Sequence, residues 1–291
     1  MILEVLAAVL PLVGGPDVKW SAPSTFIAGQ SFKVHVEVTA PKDGTMVANW
    51  LFTPSAFTLD GKPLAKREEG GTLSLPPGFT VKGDIDLAPY LQPKGEFKLD
   101  YAGDNNASAA PALTVKFFEA APAGLDFMKM PVEELGDYMV LLQTVRGDIL
   151  VKFWPETAPG HVRNFLDLSY VKFYDGTTFH RVIPGFMIQG GDPTATGTGD
   201  GPRRLKPEFQ PTRKHLRGVL SMARSSAPDS ASCQFFIMHA AAPSLDNQYS
   251  AFGEVVTGLE ALDAIVTTPR GAQDKPKETQ TILHAVVLKT K

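Results

Sequence analysis

The sequence has 291 residues and a single cysteine, Cys233. One cysteine excludes an internal disulfide framework and a cysteine-rich metal site. Beyond residue 15, no apolar run approaches the roughly 18 residues of a membrane-spanning helix. A net charge of −3, with the basic residues scattered in loops, excludes the basic stripe typical of nucleic-acid binding. We therefore expect no metal, no cofactor and no nucleic-acid partner.

Glycines alternate at 197–202 in GTGDGP, which suggests a phosphate-binding loop. The stretch has neither the following helix nor the lysine that such loops require. A flexible surface loop is the better interpretation.

The chain opens with MILEVLAAVLPLVGG, a short apolar run that ends in small residues. This pattern is typical of a secretory signal peptide, although the positive n-region is missing and Glu4 interrupts the run. We expect residues 1–16 to be a signal peptide and the protein to be periplasmic or extracellular. The alternative is a first β-strand in a cytoplasmic protein.

Residues 17–120 show an apolar–polar alternation with a period of two, as in Phe32–Val38 and Phe97–Tyr101, separated by turn clusters such as DGKP and LPPG. Several short strands without a helical period predict a β-sandwich. The segment DLAPYLQPKGEFKLDY resembles a corner of immunoglobulin-like or fibronectin-like modules, with Phe97 where such modules usually have a tyrosine. Trp50 is either the packed core indole or a strand-edge residue.

The second half of the chain, 136–291, has a different pattern. Residues 121–135 are rich in Ala, Pro and Gly without a sustained period, which predicts a linker. YMVLLQTVRGDILVKF predicts two strands joined at Arg146-Gly147, and TQTILHAVVLKT predicts a final strand. Thr157 predicts the start of one helix, and Thr257 with Glu260 predicts a capping box at a second. We expect a closed antiparallel β-barrel with two capping helices.

Strand alternation also brings together residues that suggest a binding site. In TTFHRVI, Arg181 faces away from His180, and Met187 shares a side with Gln189 after the Pro-Gly turn. In ASCQFFIM, Gln234 and Phe236 share a side. If these side chains converge, they form a shallow apolar pocket rimmed by two amides and one guanidinium, without a nucleophile.

Four motifs occur in a specific order and spacing: FHRVIPGFMIQGGD, GVLSMAR, SASCQFFI and LDNQYSAFGEV. Together with ETAPGHVRNF and YDGTTF, they resemble the cyclophilin family of peptidyl-prolyl cis-trans isomerases over 136–291. The resemblance implies an enzyme that isomerises X-Pro bonds in client polypeptides and so assists folding. It implies catalytic roles for Arg181, Gln189 and Gln234. It implies substrate binding by Phe186, Met187, Ala223, Arg224, Phe236, Leu245 and Tyr249.

Three positions depart from the best-known members of that family. Ser244 stands where they have a rim tryptophan, and Tyr249 stands where they have a histidine. Loss of the indole should weaken cyclosporin binding, because a packing contact and a donor disappear. Arg224 replaces an asparagine common in eukaryotic members, which favours a bacterial origin.

Two alternatives remain open at this point. The second half is either a catalyst or a cyclophilin-like module that binds proline-containing peptides with little turnover. In a third hypothesis, the first domain carries the main function as an adhesive or envelope module with a protein or cell-surface partner.

Overall fold

A computed structural model describes residues 16–42, 46–66, 72–91, 95–102 and 112–290. The chain divides into two units, residues 1–117 and 118–291. The signal peptide expected over 1–16 lies, except for its last residue, outside the described residues. The side chain of Trp50 also lies outside them.

The first unit is built from short β-strands. Its strands are β1 (Asp17–Ser21), β2 (Thr25–Ile27), β3 (Lys33–Thr39), β4 (Met46–Ala48), β5 (Phe57–Leu59), β6 (Lys62–Pro63), β7 (Thr72–Ser74), β8 (Thr80–Asp86), β9 (Glu96–Tyr101) and the first part of β10 (Leu113–Ala120), whose last three residues belong to the second unit. One antiparallel sheet has the order β1-β3-β8. A second set has the order β10-β9-β5-β6 with β2 on β10, and β4 pairs with β7.

The period-two alternation decides which side chains of this unit are buried. In β3, Val34, Val36 and Val38 are fully buried, while the residues between them are at least partly exposed. In β9, Leu99 is buried in the same apolar cluster as the β3 valines. Burying one face of each sheet in one cluster removes apolar surface from water, which stabilises both sheets.

The second unit is mainly β-structure with few helices. Its strands are β11 (Tyr138–Thr144), β12 (Gly147–Phe153), β13 (Arg181–Ile183), β14 (Met187–Gly190), β15 (Val219–Met222), β16 (Phe235–Met238), β17 (Ala251–Thr257) and β18 (Ile282–Lys289). Its helices are α1 (Val132–Leu135), α2 (Pro159–Tyr170) and α3 (Leu259–Val266). Among the described residues, none of the helices is both long and apolar enough to cross a membrane.

The strands of this unit form a ladder that stays open. The antiparallel order is β13-β14-β16-β15-β17-β12-β11-β18. The prediction of a closed barrel is therefore wrong. Within the described residues, β13 and β18 do not pair with each other, and the segments that precede them meet at the isolated Thr178–Thr281 bridge and through a bond from the Phe179 N–H to the Gln280 carbonyl at 2.8 Å. The physical reason lies at β13: this edge has only three residues, and the carbonyl of Val182 accepts from the Arg270 side chain at 3.3 Å instead of from a strand.

The helix starts differ from those predicted. Helix α2 starts at Pro159 with Ala158 as its N-cap residue, and the Thr157 hydroxyl donates to the Trp154 carbonyl instead. The carboxylate of Glu208 accepts from the backbone N–H groups of Gly160 and His161, both at 3.0 Å. A carboxylate distant in sequence thus satisfies the free N–H groups that a local cap would otherwise satisfy.

The predicted capping box at α3 is also wrong. Thr257 is the last residue of β17, and the N-cap is Gly258 in the left-handed conformation at φ 98°. A Cβ at Gly258 would lie 2.0 Å from the carbonyl oxygen of Asp148. The close approach of β12 therefore requires glycine here and excludes a threonine cap.

Part of the segment predicted as a linker packs in the second unit. Phe127 and Leu135 are fully buried in its core. The side chain of Arg163 donates to the carbonyl of Phe127 at 3.1 Å. A flexible linker makes few such contacts, so these residues behave as part of the unit that follows.

Asp148 in β12 makes a testable contribution to pH dependence. Burial raises the pKa of Asp148 to about 6 from its ordinary value of 3.8. The folded state therefore binds the Asp148 proton more tightly than the unfolded state does, and the bound proton stabilises the fold. This contribution is fully present below pH 4 and is lost as the pH rises through about 6. We expect Asp148→Asn to be more stable than wild type by about 1–2 kcal/mol at pH 7, after allowance for partial exposure, and equal at pH 4.

Calorimetric unfolding of both proteins at the two pH values measures this difference. The exposed residue Asp229, changed to Asn, serves as the control for loss of one negative charge. A stability difference that is the same at pH 4 and pH 7 would contradict the prediction.

Candidate functional site

Two neighbouring strands separate the core of the second unit from a second apolar surface. Met187 of β14 pairs with Met238 of β16, and Gln189 pairs with Phe236. Because side chains alternate along a strand, the residues between them point the other way. Ile188, Phe235 and Ile237 enter the main core. Met187, Phe236 and Met238 belong to a separate apolar cluster on the opposite face.

Over this cluster lies a hollow of about 120 Å³. It is lined by nine of the ten predicted site residues: Arg181, Phe186, Met187, Gln189, Ala223, Arg224, Phe236, Leu245 and Tyr249. The tenth, Gln234, lines the adjoining cleft and bonds to Gln189. The hollow is smaller than the roughly 300–1,000 Å³ of pockets that enclose a drug-sized ligand. Its size and apolar lining suit one ring-sized side chain.

The Phe236 ring is held from two sides. Its edge-to-face contact with Tyr249 has a centroid distance of 5.7 Å, and the buried His215 ring stacks on it at 6.1 Å. His215 contacts Asp246 through Nδ1 at 3.2 Å and the Ser221 hydroxyl through Nε2 at 3.1 Å. Burial lowers the pKa of His215, which favours the neutral ring, although Asp246 acts in the opposite direction. Nothing in the sequence position of His215 indicates that its ring stacks on Phe236.

Arg181 lies at the rim of the hollow, and its side chain is 43% exposed. It pairs in register with Gln189 on the neighbouring strand. Its Nε lies 3.6 Å from a carboxylate oxygen of Asp274, whose other oxygen accepts from Arg270 at 3.0 Å. The guanidinium is therefore oriented by one long ionic contact while its remaining donors stay accessible. Sequence analysis missed Asp274, since it lies 93 residues further along the chain.

Arg224 differs from Arg181 in how its donors are used. Its Nε and one terminal nitrogen donate to the carbonyl of Gln248 at 3.2 and 2.9 Å, and the other donates to Ser225 at 2.8 Å. Its guanidinium also lies 4.7 Å from the centroid of the Tyr249 ring, a cation–π geometry. The guanidinium of Arg224 is thus bonded to the wall of the hollow, whereas that of Arg181 is available to a ligand.

The two glutamines form a defined pair. The Nε2 of Gln189 donates to the Oε1 of Gln234 at 3.0 Å. The Nε2 of Gln234 donates to the carbonyls of Gly197 and Gly199 at 3.1 and 2.9 Å. Arg181, the two amides and the apolar hollow can bind and polarise a peptide group. None of these side chains provides a nucleophile.

Comparison with known proteins shows the family of the second half of the chain. The family model for "Cyclophilin type peptidyl-prolyl cis-trans isomerase/CLD" matches residues 139–287, just over half of the chain. The chain is 43% identical over 141 residues to peptidyl-prolyl cis-trans isomerase CYP18-1 of Arabidopsis thaliana, covering 47% of this chain and 88% of that protein. It is 41% identical over 153 residues to peptidyl-prolyl cis-trans isomerase ppi1 of Schizosaccharomyces pombe, covering 51% and 98%.

A solved structure is similar as well. A cyclophilin type peptidyl-prolyl cis-trans isomerase of Cryptosporidium parvum, crystallised in the presence of the dipeptide Ala-Pro, has 36% identity and a TM-score of 0.50. The match covers 51% of this chain and 98% of that one.

The mainly-β fold of the second unit and these similarities thus define an isomerase of the cyclophilin class. The chain belongs to the cyclophilin-type peptidyl-prolyl cis-trans isomerase family. It is an enzyme that interconverts the cis and trans forms of X-Pro peptide bonds.

Proposed function

We propose that the hollow binds the proline ring of a client polypeptide and that Arg181 lowers the rotation barrier of the preceding peptide bond. The observation that carries this proposal is the position of Arg181, accessible at the rim of a ring-sized apolar hollow. Phe186, Met187, Phe236 and Leu245 would remove water from the ring and the bond. Gln189 and Gln234 would orient Arg181 and the substrate backbone.

The energetics suit an arginine. The barrier of about 18–20 kcal/mol arises because the nitrogen lone pair is delocalised into the carbonyl. A donor that binds the proline nitrogen localises this pair and so weakens the double-bond character. Reducing tens or hundreds of seconds to about a millisecond requires about 7 kcal/mol of transition-state stabilisation. Arginine stays charged at every relevant pH and presents a rigid set of donors.

We propose proline-containing polypeptides as the substrate class. The Cryptosporidium relative crystallised in the presence of Ala-Pro supports this choice. Ala223 and Arg224 line both the hollow and the adjoining cleft of about 650 Å³, where an extended peptide could continue. Main-chain contacts along such an edge would give affinity without demanding a particular client sequence.

The first domain, residues 17–120, is proposed as an immunoglobulin-like or fibronectin-like β-sandwich that positions the enzyme through a protein or cell-surface partner. The shared apolar cluster of its two strand sets supports this architecture. We further propose that the protein is periplasmic or extracellular, with residues 1–16 removed. Sequencing the N-terminus of the mature protein tests this proposal, since an intact Met1 would contradict it.

An isomerase assay with the full chain tests the function. We expect the protein to accelerate cis-to-trans conversion of an X-Pro peptide in a protease-coupled assay. The alternative of a binding module with little turnover is tested by NMR exchange spectroscopy on the same peptide. Exchange cross-peaks between the cis and trans forms support catalysis, whereas simple binding shifts without such exchange would favour the binding module.

A further inference from the structure

The residue that ends the longest site motif, Asp192, is a buried carboxylate at the start of the glycine-rich loop. It accepts from the N–H and hydroxyl of Thr194 at 2.7 and 2.8 Å, and from the N–H groups of Thr196, Gly197 and Gly199 at 3.1, 2.6 and 3.2 Å. Burial alone would raise the pKa of Asp192, but these bonds lower it to about 2. The carboxylate is therefore ionised at neutral pH.

The alternating glycines of the loop have a structural role. A Cβ at Gly199 would lie 1.9 Å from an oxygen of the Asp192 carboxylate, so any side chain there would push the loop away. Gly197 has a φ of +86°, a conformation that side chains disfavour. The glycines thus let backbone N–H groups approach the loop's own carboxylate, as in an anion-binding nest.

The same two glycines connect the carboxylate to the glutamine pair. Their N–H groups donate to Asp192, while their carbonyls accept from the Nε2 of Gln234 at 3.1 and 2.9 Å. The N–H and the carbonyl of one glycine lie in adjacent peptide planes joined at its Cα, so Asp192 and Gln234 restrain the same short loop from its two sides. Both carbonyls favour the same orientation of the Gln234 amide, with Nε2 toward the loop.

This orientation decides which atoms face the hollow. With Nε2 of Gln234 toward the loop, its Oε1 accepts from the Nε2 of Gln189 at 3.0 Å. The Oε1 of Gln189 then remains as an acceptor beside Arg181, its partner in register. A flip of either amide would place two donors or two acceptors opposite each other, which is unfavourable for these half-buried polar groups.

We propose that Asp192 is a positioning residue for isomerisation: by ordering the loop 193–199, it sets the amide orientation of Gln234 and, through it, of Gln189 beside Arg181. This inference rests on the proposed function of the hollow. It assigns a role to a residue that touches neither the hollow nor the proposed substrate.

A double-mutant cycle with Gln234 tests the role. Asp192→Asn puts an amide donor in front of N–H donors, and we expect it to lower kcat/KM about tenfold, mainly through kcat. In a Gln234→Ala background, the same change should cost less than about twofold, because the residue through which Asp192 acts is missing. In a Leu245→Ala background, it should still cost about tenfold.

A milder variant separates positioning from folding. Thr194→Val removes one hydroxyl donor but keeps the backbone bond to Asp192, and we expect about a twofold to threefold loss of kcat/KM. If Asp192→Asn does not fold by circular dichroism, the cycle is run with Thr194→Val. Losses that persist unchanged in the Gln234→Ala background would overturn the inference for either variant.

A measurement without turnover distinguishes this inference from the function on which it rests. We expect Asp192→Asn to shift the side-chain amide NMR resonances of Gln234 and Gln189, with those of the distant Gln143 unchanged. Unmoved resonances at Gln234 and Gln189 would reject the positioning role even in an active enzyme. Absence of isomerase activity in the wild type would instead reject the proposed function, and the resonances would still report on the loop.

Discussion

Arg181→Ala is expected to lower kcat/KM for an X-Pro peptide by about 100- to 1,000-fold, with little change in stability. Removing one preorganised donor from a transition state typically costs about 2.7–4 kcal/mol, which corresponds to this range. Stability should change little because the side chain is 43% exposed and its ionic contact to Asp274 is long. Asp274 also keeps its bond to Arg270 in the variant.

Two further variants make this result specific. Arg181→Lys keeps the charge but loses the rigid set of donors, and we expect it to recover only a small part of the activity. Arg217→Ala is the matched control, because Arg217 has a similarly exposed side chain that pairs with Asp263 outside the hollow. It should stay within about twofold of wild type. An Arg181→Ala enzyme as active as the Arg217→Ala enzyme would falsify the proposed mechanism.

Substitution of the adjacent residues Phe235 and Phe236 by alanine should affect stability and activity differently. Phe235 is fully buried and makes edge-to-face contacts with Phe165 at 5.1 Å and Tyr174 at 5.4 Å. Phe235→Ala leaves a cavity in the core and should destabilise the second unit by about 3–5 kcal/mol. Phe236 is also buried, at 5% exposed, but it borders the hollow, so water can enter the space that Phe236→Ala leaves and the loss should be smaller, about 1.5–3 kcal/mol.

Phe236→Ala should lower isomerase activity more than Phe235→Ala does. Phe236→Ala removes the wall against which the proline ring would pack, and we expect kcat/KM to fall at least about tenfold. Phe235→Ala should keep near-normal activity at a temperature where it remains folded. Calorimetric unfolding and the isomerase assay measure the two effects on the same samples. Equal stability losses for the two variants would show that the strand does not separate core from site in this way.

Strand alternation predicted the two faces of β16 and β14 well. It placed Met187 with Gln189 and Gln234 with Phe236, and the structure has these side chains around or beside one hollow. The reason is that the period of two is a local property of the extended backbone. The resemblance to cyclophilins extended the prediction to Leu245 and Tyr249, which alternation alone could not connect to the hollow. The catalytic and binding roles of these residues stay predictions.

Partners distant in sequence were not predictable in the same way. Glu208 caps α2 from 47 and 48 residues away, and Asp274 contacts Arg181 across 93 residues. A threonine before a helix is a local signal, and both local signals of this kind were wrong here. Tertiary contacts override local capping preferences because a carboxylate from elsewhere can satisfy the same N–H groups.

The prediction of a closed barrel was wrong for a related reason. Alternation identifies strands, yet closure depends on whether the end strands meet with matching length and register. Strand β13 has three residues, and the Arg270 side chain occupies the Val182 carbonyl at its edge. No sequence pattern indicates that an arginine 88 residues away takes the place of a neighbouring strand.

By itself, the sequence determined the mainly-β class, the family of the second half and the residues that face one another along each strand. These properties follow from local periodicity and from the order of the motifs along the sequence. Only the tertiary structure decided that the ladder stays open, that Asp274 contacts Arg181, and that Asp192 and Gln234 bond to the same loop. Those arrangements depend on distances between residues far apart in sequence, which packing of the whole unit sets.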